Sequence, residues 1–458
     1  MFFERFTFES LTLHQNDIHY FGEIVKGHRK TFVRHIWLRL ELLEYDCPKC
    51  KEVESEAETN ANNKTLSVAV YSLFNIIGQW GEGEGGVELE LSAHSPSDSE
   101  HHFKELAYRS TGPKAGPLLP GSVQYHDPMH GWDNGRGLYN FPLRLNNIPN
   151  HYARPFGPGL RFSYRRRKLC LAPSVNSFRI RRQFYRSFSI QNGIGRILEA
   201  LPNLEHFSYE PWSSGHLKSY VERCEYEHSY LISNFLQFKP SLKTVSIFQD
   251  FGRPLNGSYT QQSPVGSESS TKFAMLSLGL ERMYGSFAVD AGDFFSSIED
   301  LLKHRNPVQW DRLQVLVLTS RILKPKNNKH VYDGLFRSAA RGVAHMPKLR
   351  RLELWSGGFE HGCLFRYKVD KDGRPTITLM STWFCRMSPK AILAWEEVVR
   401  VHALEHKLEV RHVDLDRARM TTHGTILQYL TREPHGVISD RSRDELLKES
   451  IWGHAYGT

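Results

Sequence analysis

Apolar residues recur along the chain in segments of the form L-x-x-L-x-L. Polar residues alternate with apolar ones at the end of each segment, and this period of two predicts a half-buried β-strand. The four clearest segments are residues 204–209, 242–247, 313–318 and 349–354. A weaker match falls in the gap between the second and third, and two more extend the series: residues 273–278, 33–38 and 410–415.

Helical periodicity precedes most of these segments, at residues 17–26, 192–201, 216–238, 331–345 and 389–406. A repeated order of helix, turn and strand builds a parallel sheet with helices on one face. We therefore predict an α/β fold, an irregular leucine-rich-repeat-like solenoid with a largely parallel curved sheet and helices on its outer face. The spacing exceeds the roughly 20–29 residues of ordinary leucine-rich repeats, so a plain α/β sheet is the alternative.

The domain organisation follows from the same series. The segments run through most of the chain, so we predict a single repeat-like α/β body over residues 1–458. Residues 107–160 are dense in glycine and proline and are expected to form a loop-rich insertion. Residues 51–64, acidic and rich in asparagine, and residues 256–271, rich in serine and glycine, are expected to be flexible loops.

The composition fits a folded, non-membrane protein. Of the 458 residues, 40% are hydrophobic and 24% are charged, which is typical of globular chains. No run of about 18 apolar residues and no secretory signal is visible. Six cysteines are spread through the chain rather than clustered as in a disulfide scaffold. We expect a cytoplasmic or nuclear protein with no membrane contact.

The formal net charge of +9 is concentrated in one place, residues 161–186, which we call the basic stretch. It contains nine cations and no acidic residue, so we predict that it is the main electrostatic recognition surface. An acidic protein is the expected partner. Interleaved phenylalanine and tyrosine residues make nucleic acid an alternative, because arginine and aromatic side chains together follow phosphates and stack on bases. The nine residues are Arg161, Arg165, Arg166, Arg167, Lys168, Arg179, Arg181, Arg182 and Arg186.

Two patterns suggest metal ligands but are incomplete. Cys47-Pro-Lys-Cys50 is half of a zinc site, and His35 or a distant cysteine would have to complete it. His402 and His406 match an inverted zincin spacing, although no third ligand is recognisable. We predict no bound metal and no cofactor.

No established catalytic motif is complete. Residues 81–86 fit G-x-G-x-x-G, but a helix is expected before them and a strand after them, the reverse of a dinucleotide site. Residues 94–102 concentrate histidine, serine and acidic side chains. Ser97 and Glu100 there have the spacing of a capping box, which indicates a helix start. We predict that the protein is not an enzyme; an enzyme with a site near His94 or His402 is the third alternative.

Several segments resemble the region that follows the F-box in a group of fungal F-box-like proteins. They are residues 2–13, 33–46, 89–103, 201–212 and 410–415. In F-box proteins the box docks onto a Skp-type adaptor of a cullin ubiquitin ligase, and the repeat region receives the substrate. The resemblance therefore implies a non-enzymatic protein–protein interaction protein. No helical box precedes Phe2, so docking onto the adaptor would require an F-box upstream, and the resemblance assigns no functional residues.

Overall fold

A computed structural model gives the fold of the chain. It describes residues 2–81, 86–101, 126–130, 132–133, 136–137, 154–164, 167–182, 184, 186–212, 218–249, 267–304, 308–327 and 329–452. The sequence predicts one body, whereas the structure divides into two compact units. The first comprises Met1–Tyr220, Asn234–Leu242 and Asp250–Ser258; the second comprises Val221–Ser233, Lys243–Gln249 and Tyr259–Thr458. None of the described helices is long and apolar enough to cross a membrane.

The first unit contains a parallel sheet of five strands in the order β1-β2-β3-β6-β7. A separate antiparallel pair is formed by β4 and β5. The helices of the first unit are α1 (Phe2–Glu9), α2 (Ile18–Ile24), α3 (Glu56–Ile77), α4 (Pro96–Glu100) and α5 (Gly195–Glu199). Its strands are β1 (Ser10–His14), β2 (His35–Glu41), β3 (Val87–His94), β4 (Trp132–Asp133), β5 (Arg136–Gly137), β6 (Val175–Ile180) and β7 (His206–Tyr209).

The second unit contains seven strands in the order β8-β9-β10-β11-β12-β13-β14. All neighbours are parallel except β11–β12 and β12–β13, which are antiparallel. The helices are α6 (Lys218–Asn234), most of which lies in this unit, α7 (Ser267–Ser277), α8 (Ala291–His304), α9 (Lys329–Val343), α10 (Pro389–Val401) and α11 (Asp440–Trp452). The strands are β8 (Thr244–Phe248), β9 (Arg282–Asp290), β10 (Val315–Thr319), β11 (Arg351–Gly358), β12 (His361–Val369), β13 (Pro375–Ser381) and β14 (Glu409–Asp414).

The predicted mixed α/β class and its mostly parallel strands are confirmed. The four clearest L-x-x-L-x-L segments end in β7, β8, β10 and β11. Within the second unit, Leu316 of β10 and Leu352 of β11 are partners in a parallel register. The weaker match at 273–278 is wrong as a strand, because these residues lie in α7 or in the turn after it. The strand between β8 and β10 is β9 instead.

The expected flexible loop at 51–64 is wrong for its larger part, because α3 begins at Glu56 and only residues 51–55 precede it. Ser55 and Glu58 form a capping box in which the Glu58 carboxylate accepts a hydrogen bond of 2.8 Å from the Ser55 backbone N–H. This box gives the first turn of α3 its missing hydrogen-bond partners, so an acidic and asparagine-rich segment starts a helix. Of the other two predicted loops, residues 267–271 belong to α7, while 256–266 and most of 107–160 lie outside the described residues.

The first-unit sheet has two chemically different faces. On one, Ile36, Leu38 and Leu40 of β2 are at most 1% exposed, and α3 packs against this strand. The helices α2 and α3 meet closely, because a Cβ atom at Gly22 would lie 2.9 Å from the Ile76 Cδ1 atom. Since successive side chains on a strand point to opposite faces, the second face carries the polar residues of β2, β3 and β6.

Candidate functional site

A network of ionic side chains lies on the second face of the first-unit sheet. We call it the charged face and define it by His35, Glu88, Glu90, Arg179 and Arg181. Strand register brings these residues together, since Glu88 is the partner of His35 and Arg179 is the partner of Glu90. Arg181 pairs with Glu90 at 2.5 Å and Arg179 pairs with Glu88 at 3.0 Å. The network is thus built from three neighbouring strands.

The charged face has a buried end and a partly exposed end. The Arg181 and Glu90 side chains are each 4% exposed. Burial by itself would raise the pKa of the Glu90 carboxyl, but Arg181 and then His35 more than offset it and hold the pKa at about 2. His35 is 27% exposed, and Glu88 and Arg179 are each 18% exposed, so these three side chains reach solvent.

His35 also links Ser10 to Glu90. The His35 Nε2 atom lies 3.1 Å from the Glu90 carboxylate, which only accepts, so Nε2 donates. On the other side of the ring, Nδ1 lies within hydrogen-bond distance of the Ser10 hydroxyl, at 2.9 Å. Serine, histidine and carboxylate are the parts of a hydrolase relay. Here Arg181 already neutralises the Glu90 carboxylate, so this carboxylate is less able to stabilise a protonated His35. We therefore interpret Ser10, His35 and Glu90 as a hydrogen-bond network across three strands.

The same cations argue against a metal on the charged face. Ligand atoms of His35, Glu88 and Glu90 lie within 4.8 Å of one another. Both carboxylates, however, are paired with guanidinium groups, those of Arg179 and Arg181. A second cation would have to displace these partners. The arrangement therefore fits recognition through charge and hydrogen bonds better than metal binding.

The structure contradicts the predicted role of three residues of the basic stretch. Arg181, Arg182 and Arg186 are at most 8% exposed, whereas Arg179, which is 18% exposed, belongs to the exposed end of the charged face. Arg182 lies over the Trp212 ring at 4.2 Å. The prediction that the basic stretch forms one common recognition surface is wrong, because carboxylates and aromatic rings that are distant in sequence enclose the Arg181, Arg182 and Arg186 side chains. Three members are exposed, Arg161, Arg167 and Lys168, whereas Arg165 and Arg166 lie outside the described residues.

Arg186 is the centre of a buried network beyond the carboxyl ends of β2 and β3. Its guanidinium pairs with Asp98 at 2.9 Å and with Glu54 at 2.5 Å. Burial alone would lower the pKa of Arg186, but Asp98 and Glu54 raise it above its usual value. The Tyr45 hydroxyl donates to Asp98 at 2.9 Å, and Arg154 lies 4.5 Å over the Tyr45 ring. The network therefore joins residues between β2 and α3, in α4, between β5 and β6, and after β6.

Cys47, His101 and His130 meet beside this network. Their possible ligand atoms all lie within 4.8 Å of one another, and the Cys47 Sγ atom is 3.2 Å from the His130 Nε2 atom. Cys50 is 2% exposed, and burial together with the adjacent Cys47 thiol raises its pKa. His35, the histidine considered from sequence, belongs to the charged face instead. His101 lies within the histidine-rich segment 94–102, whereas the only local feature of His130 is Asp127, three residues earlier.

The remaining sequence candidates have structural roles. The helix α10 ends at Val401, so His402 and His406 do not share a helical face, and the His402 Nε2 atom lies 3.0 Å from the Val343 carbonyl oxygen. His94 stacks on Phe184, with ring centroids 4.8 Å apart. Burial, and then Arg39, lower the pKa of His94 to about 3, so the ring is neutral at physiological pH.

Two further motifs are resolved by the elements around them. The predicted capping box of Ser97 and Glu100 is wrong, because both residues lie inside α4; the box is formed by Ser95, whose N–H donates to Asp98 at 3.1 Å. The G-x-G-x-x-G segment follows α3 and precedes β3, as its context predicts. Its residues 82–85 lie outside the described residues.

In the second unit, residues 433–437 lie against polar side chains of the sheet. The Ser246 hydroxyl donates to the Gly436 carbonyl oxygen at 2.8 Å. Glu433 accepts from the Tyr284 hydroxyl at 2.6 Å and pairs with Arg351 at 2.5 Å. Polar side chains of β8, β9 and β11 are therefore hydrogen-bonded to this C-terminal segment of the chain.

Comparison with known proteins adds one finding. Residues 237–439 match a family described as a family of unknown function, DUF6546. No curated protein matches the chain. No solved structure matches it either. The match covers less than half of the chain and includes neither the charged face nor Cys47, Cys50, His101 and His130.

Proposed function

We propose that the protein is a non-enzymatic binding protein and that the charged face of the first unit receives a protein partner. The observation that carries this proposal is the exposed end of that face. There His35, Glu88 and Arg179 lie side by side on adjacent strands, partly exposed and held in place by ion pairs. Side chains that are already ordered lose little conformational entropy when a partner binds.

The mixture of charges favours a protein over nucleic acid. A phosphate backbone presents only negative charge and would meet the Glu88 carboxylate. A polypeptide segment with both acidic and basic side chains can pair with Arg179 and Glu88 together. The basic stretch supports nucleic-acid binding less than its sequence predicts, because Arg181, Arg182 and Arg186 are buried.

The resemblance to F-box-like proteins points in the same direction, since it implies a body that receives a protein substrate. The proposal is limited to this binding role. Docking onto a Skp-type adaptor would depend on an F-box upstream and is not part of it.

A charge-swap variant tests the proposal without removing the ion pair. In the double variant Glu88→Arg and Arg179→Glu, the pair is kept but its polarity is reversed. A photo-crosslinking residue at Ser10, which lies beside His35 at the edge of the face, reports contact with a partner from native extract. We expect a discrete crosslinked product with the wild-type face and a large loss of that product in the swap.

The matched control is the exposed pair Glu397 and Arg400 of α10 in the second unit. The swap Glu397→Arg and Arg400→Glu should leave the crosslinked product unchanged. Thermal unfolding of both variants shows whether the fold is retained. Equal yields from wild type, the charged-face swap and the α10 swap, with all three folded, would refute the proposal.

A further inference from the structure

Three metal-ligating side chains that are scattered through the sequence converge in the first unit, and a fourth, Cys50, lies beside one of them. Cys47 and Cys50 bracket a single 3₁₀ turn after β2, His101 follows α4, and His130 ends a second 3₁₀ turn. The possible ligand atoms of Cys47, His101 and His130 lie within 4.8 Å of one another, and Cys50 adjoins Cys47. We propose that Cys47, Cys50, His101 and His130 form a structural zinc site, contrary to the expectation of no bound metal from the sequence alone.

The second hydrogen bond of each histidine supports this assignment. The His101 Nδ1 atom lies 2.8 Å from the Ser97 carbonyl oxygen, which only accepts, so Nδ1 carries the proton and Nε2 keeps its lone pair. The His130 Nδ1 atom lies 2.7 Å from the Asp127 carboxylate, with the same consequence. Zinc-binding histidines are almost always oriented by such a carbonyl or carboxylate partner on the other nitrogen.

The distances also suit zinc. Zinc–sulfur bonds of about 2.3 Å and zinc–nitrogen bonds of about 2.0–2.1 Å place the two atoms roughly 3.5 Å apart at a tetrahedral centre. The Cys47 Sγ and His130 Nε2 atoms are 3.2 Å apart. Two thiolates and two imidazoles are a ligand set typical of structural zinc.

The ligand set determines the role of the site. Four protein ligands fill a tetrahedral zinc ion and leave no open position for water or substrate, so the site is structural rather than catalytic. The ion would join the turn after β2, the end of α4 and residues 126–130. Tyr45 and Asp98 of the buried Arg186 network lie next to these ligands, and the His101 and Tyr45 rings stack with centroids 5.2 Å apart.

A different chemistry would use some of the same atoms. Cys47, His130 and Asp127 also have the order of a thiol nucleophile, its base and an orienting carboxylate. Cys50 and the carbonyl-oriented His101 have no place in that arrangement, whereas both are required by a four-ligand zinc site. Zinc therefore accounts for more of the cluster than nucleophilic catalysis does.

Metal analysis of the full-length protein tests the proposal. Protein purified without chelator should carry about one zinc ion per chain by inductively coupled plasma mass spectrometry. Replacement of zinc by cobalt should give the visible bands of a tetrahedral ion and a thiolate-to-cobalt charge-transfer band. Zinc should also slow the alkylation of Cys47 by iodoacetamide many-fold, and a chelator should restore it.

Single variants locate the site. Cys50→Ser and His101→Gln should each lose zinc and the charge-transfer band, while Cys170→Ser, which changes an exposed cysteine near Asn75, should retain both. Wild-type protein that takes up no zinc on reconstitution, or cobalt protein without thiolate bands, would overturn the proposal. Rapid alkylation of Cys47 with and without zinc would also overturn it and would favour the thiol nucleophile. None of these readouts depends on the charged face or its partner.

Discussion

Replacement of Arg186 by glutamine should destabilise the first unit severely. The Arg186 side chain pairs with Asp98 at 2.9 Å and with Glu54 at 2.5 Å, and it donates to the Arg154 carbonyl oxygen at 3.0 Å. The two carboxylates are only 6% and 10% exposed, so the variant leaves buried charges without their cation. Breaking a buried pair in this way costs about 3–5 kcal/mol, which lowers the melting temperature of a unit of this size by on the order of 10 °C.

The assay is thermal and urea unfolding of wild type and variants under identical conditions. Arg161→Gln is the matched control, because Arg161 belongs to the same basic stretch but is exposed. It should change the free energy of unfolding by less than about 0.5 kcal/mol. The triple variant Arg186→Gln, Glu54→Gln and Asp98→Asn should recover part of the loss, since no buried charge remains. Equal and small effects of Arg186→Gln and Arg161→Gln would refute a structural role for Arg186.

Three further predictions follow from the fold. Leu352→Asp should destabilise the second unit by about 4 kcal/mol or more in urea unfolding, because Leu352 is 0% exposed and the variant buries an unpaired charge; an unchanged midpoint would contradict this. The pKa of Glu90 in the folded state is about 2, below its usual 4.5. The stabilisation that ionised Glu90 contributes to the fold is therefore present above about pH 4.5 and is lost as the pH falls towards 2. In acid unfolding, Glu90→Gln should weaken the dependence of the free energy of unfolding on pH between these two values. Ser55→Ala should cost about 1 kcal/mol in thermal unfolding by removing the cap of α3, and no change would contradict the cap.

The strands were predictable where the alternation of side chains was decisive. Leu316 and Leu352 lie in period-two segments, and both are buried on neighbouring parallel strands. The same spacing misled at 273–278, because Phe273 and Leu276 are also three residues apart on one helical face, and both are buried in α7. Short apolar runs fit either period, so only tertiary packing decides between them.

The ionic sites were not predictable from local sequence. Glu90 and Arg181 pair across 91 residues, and Arg186 and Glu54 pair across 132 residues. In the sequence, a run of cations without neighbouring acidic residues indicates an exposed surface. In the fold, carboxylates that are distant in sequence enclose several of these cations. The charged face is created by the register of β2, β3 and β6, which no residue pattern reveals.

The cysteine and histidine cluster shows the same limit at shorter range. Cys47 and Cys50 were recognisable as half of a metal site, because their spacing is local. His130 could not be connected to them, since its link to Cys47 spans 83 residues and depends on the fold of the intervening chain. Its one local feature is Asp127, which lies three residues earlier and orients the ring.

Hydroxyl-radical footprinting of the protein with and without its crosslinked partner tests the binding proposal most directly. His35 reports on the charged face, and Tyr164, which is 44% exposed, reports on the accessible part of the basic stretch. We predict that the partner protects His35 and leaves the labelling of Tyr164 unchanged. Protection of Tyr164 with unchanged labelling of His35 would contradict the account and would return the basic stretch to the role that its sequence predicts.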